Sequence, residues 1–209
     1  MVSPGVIVLP PAYLGSVEYY AAMAAFPQAM VDWGMKFDKR MKTAHRCDVA
    51  DTHGVRQLTV PIVKPLSMTG ARWSDIVISS HGAWWHVHLE TLKSAYGRTP
   101  FFEYYLDEFE RFYTSERAGE RLADYCKGLD ALLRRLMGVE TAVRDDAPAI
   151  ADGFDCRGGI PAGLVNTIPY YQVRSLSQGF LPGLSAVDLL FNMGPESIFI
   201  LESMTQKAI

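Results

Sequence analysis

Five cations, Lys36, Lys39, Arg40, Lys42 and Arg46, fall within eleven residues against a single acid, Asp38. Guanidinium forks and ammonium groups at this density suit the oxygens of phosphate groups on a small ligand, because each contact is a charge-assisted hydrogen bond. A solvated basic loop without a ligand is the competing reading of the same charges. Two other side chains offer proton transfer. Asp32 ends a stretch of strand character, where a carboxylate can serve as a general base, hold a ribose hydroxyl or merely finish a turn. His88 shares an apolar helical stripe with Trp84 and Trp85, where burial or a neighbouring carboxylate moves an imidazole pKa; a hydrogen-bonded core histidine fits the spacing equally well.

Other familiar chemistries find no support. The chain holds no P-loop, no complete Gly-rich dinucleotide fingerprint, no HExxH and no GxSxG. His81, His86 and His88 suggest a metal site, but on a helix His86 and His88 point about 200° apart, and His81 and His88 lie roughly 10 Å apart, too far to share one zinc. No metal is therefore expected. Cys156 beside Arg157 has the neighbour that a low-pKa thiol requires, yet no partner base is identifiable, so a cysteine nucleophile is not favoured.

These residues sit in a chain of 209 residues with 49% hydrophobic and 21% charged content, an ordinary globular composition compatible with one domain spanning 1–209. The net charge of −3 excludes a strongly basic nucleic-acid binder. The first 100 residues nevertheless carry ten Lys or Arg against seven Asp or Glu, so the positive excess is local. No run approaches the ~18 apolar residues of a membrane span, and the first apolar stretch stops at Pro10 and Pro11 with no basic residue before it. Cys47, Cys126 and Cys156 lack paired spacing, which argues for reduced thiols and a cytoplasmic location.

The elements that must position these groups begin with a strand at residues 5–9, a loop through Gly15, and a helix over 16–26 capped by Ser16 with Glu18 in its first turn. A second strand over 29–33 would complete a right-handed βαβ unit, leaving the first loop, the positive helix end and Asp32 on one sheet edge, where ligands usually bind. Residues 47–63 predict a hairpin about a turn at Asp51, Thr52, His53 and Gly54, and 73–79 another strand. Helices follow over 81–96, 101–113 and 119–137, with Trp84, Trp85, His88, Leu92 and Ala95 on one stripe of the first. Residues 140–165 read as a long irregular loop, and 170–173 as a short strand. Ser185 caps a last helix over 186–193, with Asp188 in capping-box position, Leu184 and Leu189 as a hydrophobic staple, and Gly194 and Pro195 as its stop. Residues 197–201 read as an edge strand. The pattern specifies an α/β fold: one domain with a mixed β-sheet opened by a βαβ unit and flanked by helices.

Several segments in the same order resemble the WbqC-like family, bacterial proteins associated with gene clusters for surface polysaccharide such as O-antigen. They are LPPAYLGSVEYY (residues 9–20), KFDKRMKTAHRCDVA (36–50) leading into LTVPIVKP (58–65), WWHVHLETLKSAYGRTPFFEYY (84–105), YYQV (170–173) and LSAVDLLFNMG (184–194). The resemblance implies that the proline and glycine of the first loop, Lys39 and Arg46 of the basic segment, Trp85 with His88, Tyr96 and the Pro100–Phe101 corner are family features; the residues themselves are compatible with a substrate site of Tyr13, Gly15, Lys39, Arg40, His45, Arg46, Trp85 and Tyr96 in which His88 or Asp32 takes a proton. His45 stands where the family pattern often carries Asn, which argues against proton transfer there. The implied activity is transfer of a group, such as an acyl group, to or from a nucleotide-linked sugar or other phosphorylated small molecule. No resident cofactor is expected, and acyl-CoA or another acyl donor fits as co-substrate. Two alternatives remain: a non-catalytic protein that binds a nucleotide sugar or a glycosyltransferase, and a nucleotidylyltransferase-like enzyme, although the paired histidines of that signature are absent. Convergence of His88, Asp32 and the basic segment on one pocket would favour an enzyme, and dispersal an accessory protein.

Overall fold

Val, Ile and Leu between Gly5 and Pro10 favour an extended backbone, and Pro10 cannot continue the ladder as a donor. The computed structural model, which describes residues 5–65, 67, 69–144 and 153–205, accordingly opens with strand β1 (Val6–Leu9). Helix α1 (Val17–Ala24) follows, its N-terminus closed by Ser16 Oγ accepting from the Tyr19 N–H at 3.2 Å. Strand β2 (Gln28–Val31) then lies parallel to β1, with Val6 opposite Gln28 and Leu9 opposite Val31. Parallel neighbours require a crossover, and α1 supplies it.

Strands β3 (Arg46–Asp51) and β4 (Gly54–Thr59) form the expected hairpin around Thr52 and His53. The short β5 (Ile62–Val63) and β6 (Val77–Ile78) pair antiparallel. Three helices follow: α2 (Trp84–Tyr96), α3 (Phe102–Glu110) and α4 (Leu122–Met137), the last ended by Gly138 at φ 75°, a left-handed cap that glycine adopts without steric cost. Strands β7 (Ala142–Arg144) and β8 (Gly153–Asp155) join the first sheet, giving the order β7-β2-β1-β8 with every pairing parallel. Antiparallel pairing between strands is thus confined to the two small ribbons. The chain closes with α5 (Ser175–Gln178), α6 (Ala186–Met193) and α7 (Ser197–Thr205). One continuous cluster of buried apolar residues runs through sheet and helices, from Ile7 and Leu9 through Leu129 and Leu133 to Phe191 and Leu201. Among the described residues no helix is long and apolar enough to cross a membrane.

Four local expectations change. Residues 73–75 form a 3₁₀ turn and only Val77–Ile78 is strand, because Trp73 is fully buried and the Trp73 and Ser74 N–H groups are spent on the Met35 and Trp33 carbonyls. The loop expected at 140–165 contributes β7 and β8, three-residue strands too short to leave a periodic pattern; residues 145–152 lie outside the described ones. Residues 197–201 are helical, since Pro195 begins a 3₁₀ turn that feeds α7 instead of stopping the chain. Residues 170–173 form no strand and are held by side chains.

Those side chains explain a further departure, at Asp188. Ser185 caps α6 through the Val187 N–H, but Asp188 does not complete a capping box. Its carboxylate is fully buried, and Oδ2 accepts from the Tyr170 hydroxyl at 2.7 Å and from Gln172 Nε2 at 3.0 Å. Gln172 also spans to the Leu181 carbonyl, and the Val173 N–H donates to Asn192 Oδ1, so residues 170–181 are strapped to α6. Burial raises the Asp188 pKa above its ordinary 3.8. A carboxyl with a raised folded-state pKa holds its proton longer in the native state, so its contribution to stability is present at low pH and is lost as pH rises through the folded value. Urea unfolding across pH should therefore show wild type losing stability relative to Asp188→Asn as pH rises above 3.8; a difference independent of pH would show that Asp188 is ionised in the fold without cost.

Candidate functional site: a basic cleft beside the first strand

A parallel strand delivers its chain to the carboxyl edge of the sheet, and at Leu9 that chain enters the loop Pro10–Ser16. The loop is tightly held. Leu14 sits at φ 45°, a left-handed conformation that costs a branched residue about 1 kcal/mol or more. At Gly15 a Cβ would lie 2.7 Å from Tyr19 Cδ1, so any side chain there would push into the Tyr19 ring. The Tyr13 N–H donates to the Thr43 carbonyl at 2.8 Å, and Thr43 Oγ1 returns a bond to the Pro11 carbonyl at 3.2 Å. These bonds lace the basic segment onto the loop that follows β1.

The consequence is a row of three clefts. The first, about 220 Å³, lies over Gly15, Tyr19 and Ser185 and has Arg46 in its wall. The second, about 390 Å³, is lined by Lys39, Lys42, His45, Arg46 and Lys64 over an apolar floor of Phe37 and Ile62. The third, about 750 Å³, is lined by Asp32, Lys36, Arg40, Arg72 and Arg157. Arg46 is common to the first two and Phe37 to the last two. Lys64 and Arg72 lie outside the basic run, and only the fold of β5 and the 3₁₀ turn brings them to it. Arg157, noted in the sequence only as the neighbour of Cys156, arrives from beyond β8.

The middle cleft is the most electropositive. Among the described residues no carboxylate lines it and none of its four cations is ion-paired; Lys42 donates to the Lys39 carbonyl and Arg46 to Gln57 Oε1. His45 is 7% exposed and stacks on Trp73 with ring centroids 6.0 Å apart. Its Nδ1 lies 3.2 Å from the Val60 carbonyl, an acceptor only, so Nδ1 carries the proton. Desolvation lowers its pKa below 6.5, and the charges of Arg46 and Lys42 act in the same direction.

The two expected catalytic groups do not meet. Asp32 lines the third cleft, where it accepts from Arg157 at 3.0 Å; the same guanidinium grips Asp155 through Nε and Nη2, holding the Asp155 carboxyl at about 2. Paired in this way, Asp32 holds Arg157 at the third cleft and does not line the middle one. His88 lines none of the three clefts and is 3% exposed. Its Nε2 donates to the Thr59 carbonyl at 3.1 Å, so Nδ1 accepts from the Tyr13 hydroxyl at 2.9 Å, and that hydroxyl accepts in turn from Tyr113 at 3.0 Å. With both ring nitrogens engaged inside the core, His88 is a structural residue, and the catalytic expectation for it is withdrawn.

Other expected site residues also belong to the packing. Tyr96 is 1% exposed and its hydroxyl accepts from the Ala50 N–H at 3.1 Å. Trp85 is half-buried edge-on to Trp84, and Tyr13 contributes backbone to the first cleft while its ring fills the core. Arg40 turns to Asp38 at the mouth of the third cleft. Cys156 is buried and its thiol is pushed up to about 11, the opposite of an activated thiol. Among the described residues no three His, Cys, Asp or Glu side chains are gathered so as to hold a metal ion.

His88 yields a direct test. Burial depresses its pKa from 6.5 to about 4, so the native state resists protonation and its stability is lost as pH falls through that window, by about 3 kcal/mol. His88→Ala should cost about 2–4 kcal/mol at neutral pH, remove that acid-side loss and leave ligand affinity of the folded fraction unchanged. A variant with wild-type melting temperature but altered affinity would return His88 to the site.

No curated protein and no solved structure matches the chain. A family model described as the WbqC-like protein family matches residues 11–153, well over half of the chain, a span that includes the first loop, the basic segment, the hairpin and helices α2 to α4. The chain belongs to the WbqC-like protein family.

Proposed function

We propose that the chain binds a nucleotide-linked sugar, or a phosphorylated molecule of the same anionic character, and transfers a group to or from it in the synthesis of bacterial surface polysaccharide. One observation carries the reading: four cations unpaired with carboxylates, Lys39, Lys42, Arg46 and Lys64, face one cleft beside the carboxyl edge of a parallel sheet. A diphosphate is a suitable occupant, because several ammonium groups and a guanidinium can each take an oxygen through a charge-assisted bond. The flanking clefts, joined to it through Arg46 and Phe37, offer room for the two organic ends of such a ligand. An acyl-CoA donor, which also carries a diphosphate, suits the same cations. The polysaccharide setting rests on the association implied by the family resemblance.

A second reading has its own support. The sealing of His88 in the core and the pairing of Asp32 with Arg157 favour a binding protein without turnover over a transferase using those two groups. Both readings require the anion site. Calorimetry with inorganic pyrophosphate and with a nucleotide-diphosphate sugar should give binding that weakens with added salt. Arg46→Ala should weaken it by roughly 1.5 to 3 kcal/mol while barely changing the melting temperature. Unchanged affinity in Arg46→Ala and in a Lys39→Ala/Lys64→Ala double variant would remove the cleft from ligand binding.

A further inference from the structure

We infer that His45 is the proton acceptor of the basic cleft, taking a proton from a hydroxyl or amine that attacks a phosphate-activated group bound there. The inference rests on the anion-site reading above and assigns that site the base which His88 and Asp32 do not supply; it reverses the expectation drawn from the Asn that the family pattern often carries at this position, and makes the base a property of this chain's own geometry. Three features of the geometry carry it. The Nδ1 proton is committed to the Val60 carbonyl at 3.2 Å, so in the neutral ring Nε2 bears the free lone pair. Among the described residues no group hydrogen-bonds Nε2, and it is not among the buried polar atoms cut off from solvent. His45 also shares its cleft with Lys39, Lys42, Arg46 and Lys64, while Trp73 stacks on the ring and fixes its plane.

The surrounding charges keep this base ready. Desolvation disfavours the imidazolium and the charges of Arg46 and Lys42 act the same way, outweighing the hydrogen bond to the Val60 carbonyl that favours it, so His45 is held below its ordinary 6.5 and is mainly neutral at physiological pH. A His on an anion site is more commonly a cationic donor; here the lysines and Arg46 already supply the positive charge. In the step assigned, the acceptor O–H or N–H proton passes to Nε2 and its oxygen or nitrogen forms the new bond to the transferred group. The bond from that group to its phosphate breaks, and the electron pair leaves on the phosphate oxygen, where the neighbouring cations neutralise it.

Diethyl pyrocarbonate, which at histidine acylates the neutral, accessible imidazole nitrogen, tests this histidine by histidine when the products are mapped to individual residues by peptide mass spectrometry. His45 should be modified with a pH midpoint below 6.5, and saturating pyrophosphate should slow its modification at least tenfold without protecting the exposed His53, His81 and His86. His88, with both nitrogens engaged, should remain unmodified. His45→Asn keeps an N–H for the Val60 carbonyl and removes Nε2, so it should fold and bind pyrophosphate within about threefold of wild type. A fall in affinity beyond tenfold would make His45 a binding group and overturn the inference. Failure of His45 to react, or modification that pyrophosphate does not slow, overturns it while leaving the anion site standing if calorimetry shows pyrophosphate bound. Absence of pyrophosphate binding to wild type overturns the anion site, and the base with it.

Discussion

The buried hydroxyl of Tyr13 is the point on which the structure turns. Tyr13 leaves the carboxyl edge of the first parallel strand, yet its ring lies wholly in the core and its hydroxyl sits between Tyr113 and His88. A phenol in that position must both donate and accept, because an unmet polar group in the interior costs about 1–3 kcal/mol. The chain Tyr113 to Tyr13 to His88 to the Thr59 carbonyl meets each requirement in turn, and it joins the segment after α3, the first loop, helix α2 and the end of the hairpin. Chains of this kind strengthen along their length in a low-dielectric interior. The backbone of the same residue holds Thr43, so one side chain anchored in the core sets where the basic segment lies.

Charge in the site follows from that placement. The molecule is acidic overall, and several of its other cations are paired with carboxylates: Arg134 with Asp130, Arg135 with Glu108, Arg157 with Asp32 and Asp155. Lys39, Lys42, Arg46 and Lys64 are different, gathered around a cleft without an acid in its lining. Like charges so placed repel one another, and the arrangement is sustained because the backbone that carries them is fixed by contacts that do not involve the charges. Leu14 in its left-handed conformation and Gly15 against the Tyr19 ring show the same economy, in which a constrained loop is paid for by the core around it.

Two buried titratable groups pull stability in opposite directions. His88 resists gaining a proton and Asp188 resists losing one, since burial penalises whichever form is charged. Each lies where separate segments are tied together, His88 between the first loop and the hairpin end, Asp188 between α6 and the strap over residues 170–181. Both are therefore more informative about folding than about chemistry.

Local patterning was enough for the first βαβ unit, the hairpin and the amphipathic helices α2 to α4, because their periods of two and 3.6 and their caps are properties of neighbouring residues. The basic segment was legible for the same reason, as five cations in eleven residues. Strands β7 and β8 were not, since three residues carry no period and their pairing energy comes from partners distant in the chain. Nor could spacing show which histidine lines a cleft. His88, beside two tryptophans, and His45, amid lysines, differ in role because the long-range bond to Tyr13 seals one ring while the Val60 carbonyl leaves one nitrogen of the other free. Residue types and their periods decide which elements form; only the packing of those elements decides which polar atoms are consumed in holding the fold and which remain for a ligand, because that depends on contacts across 15 and 75 positions of sequence.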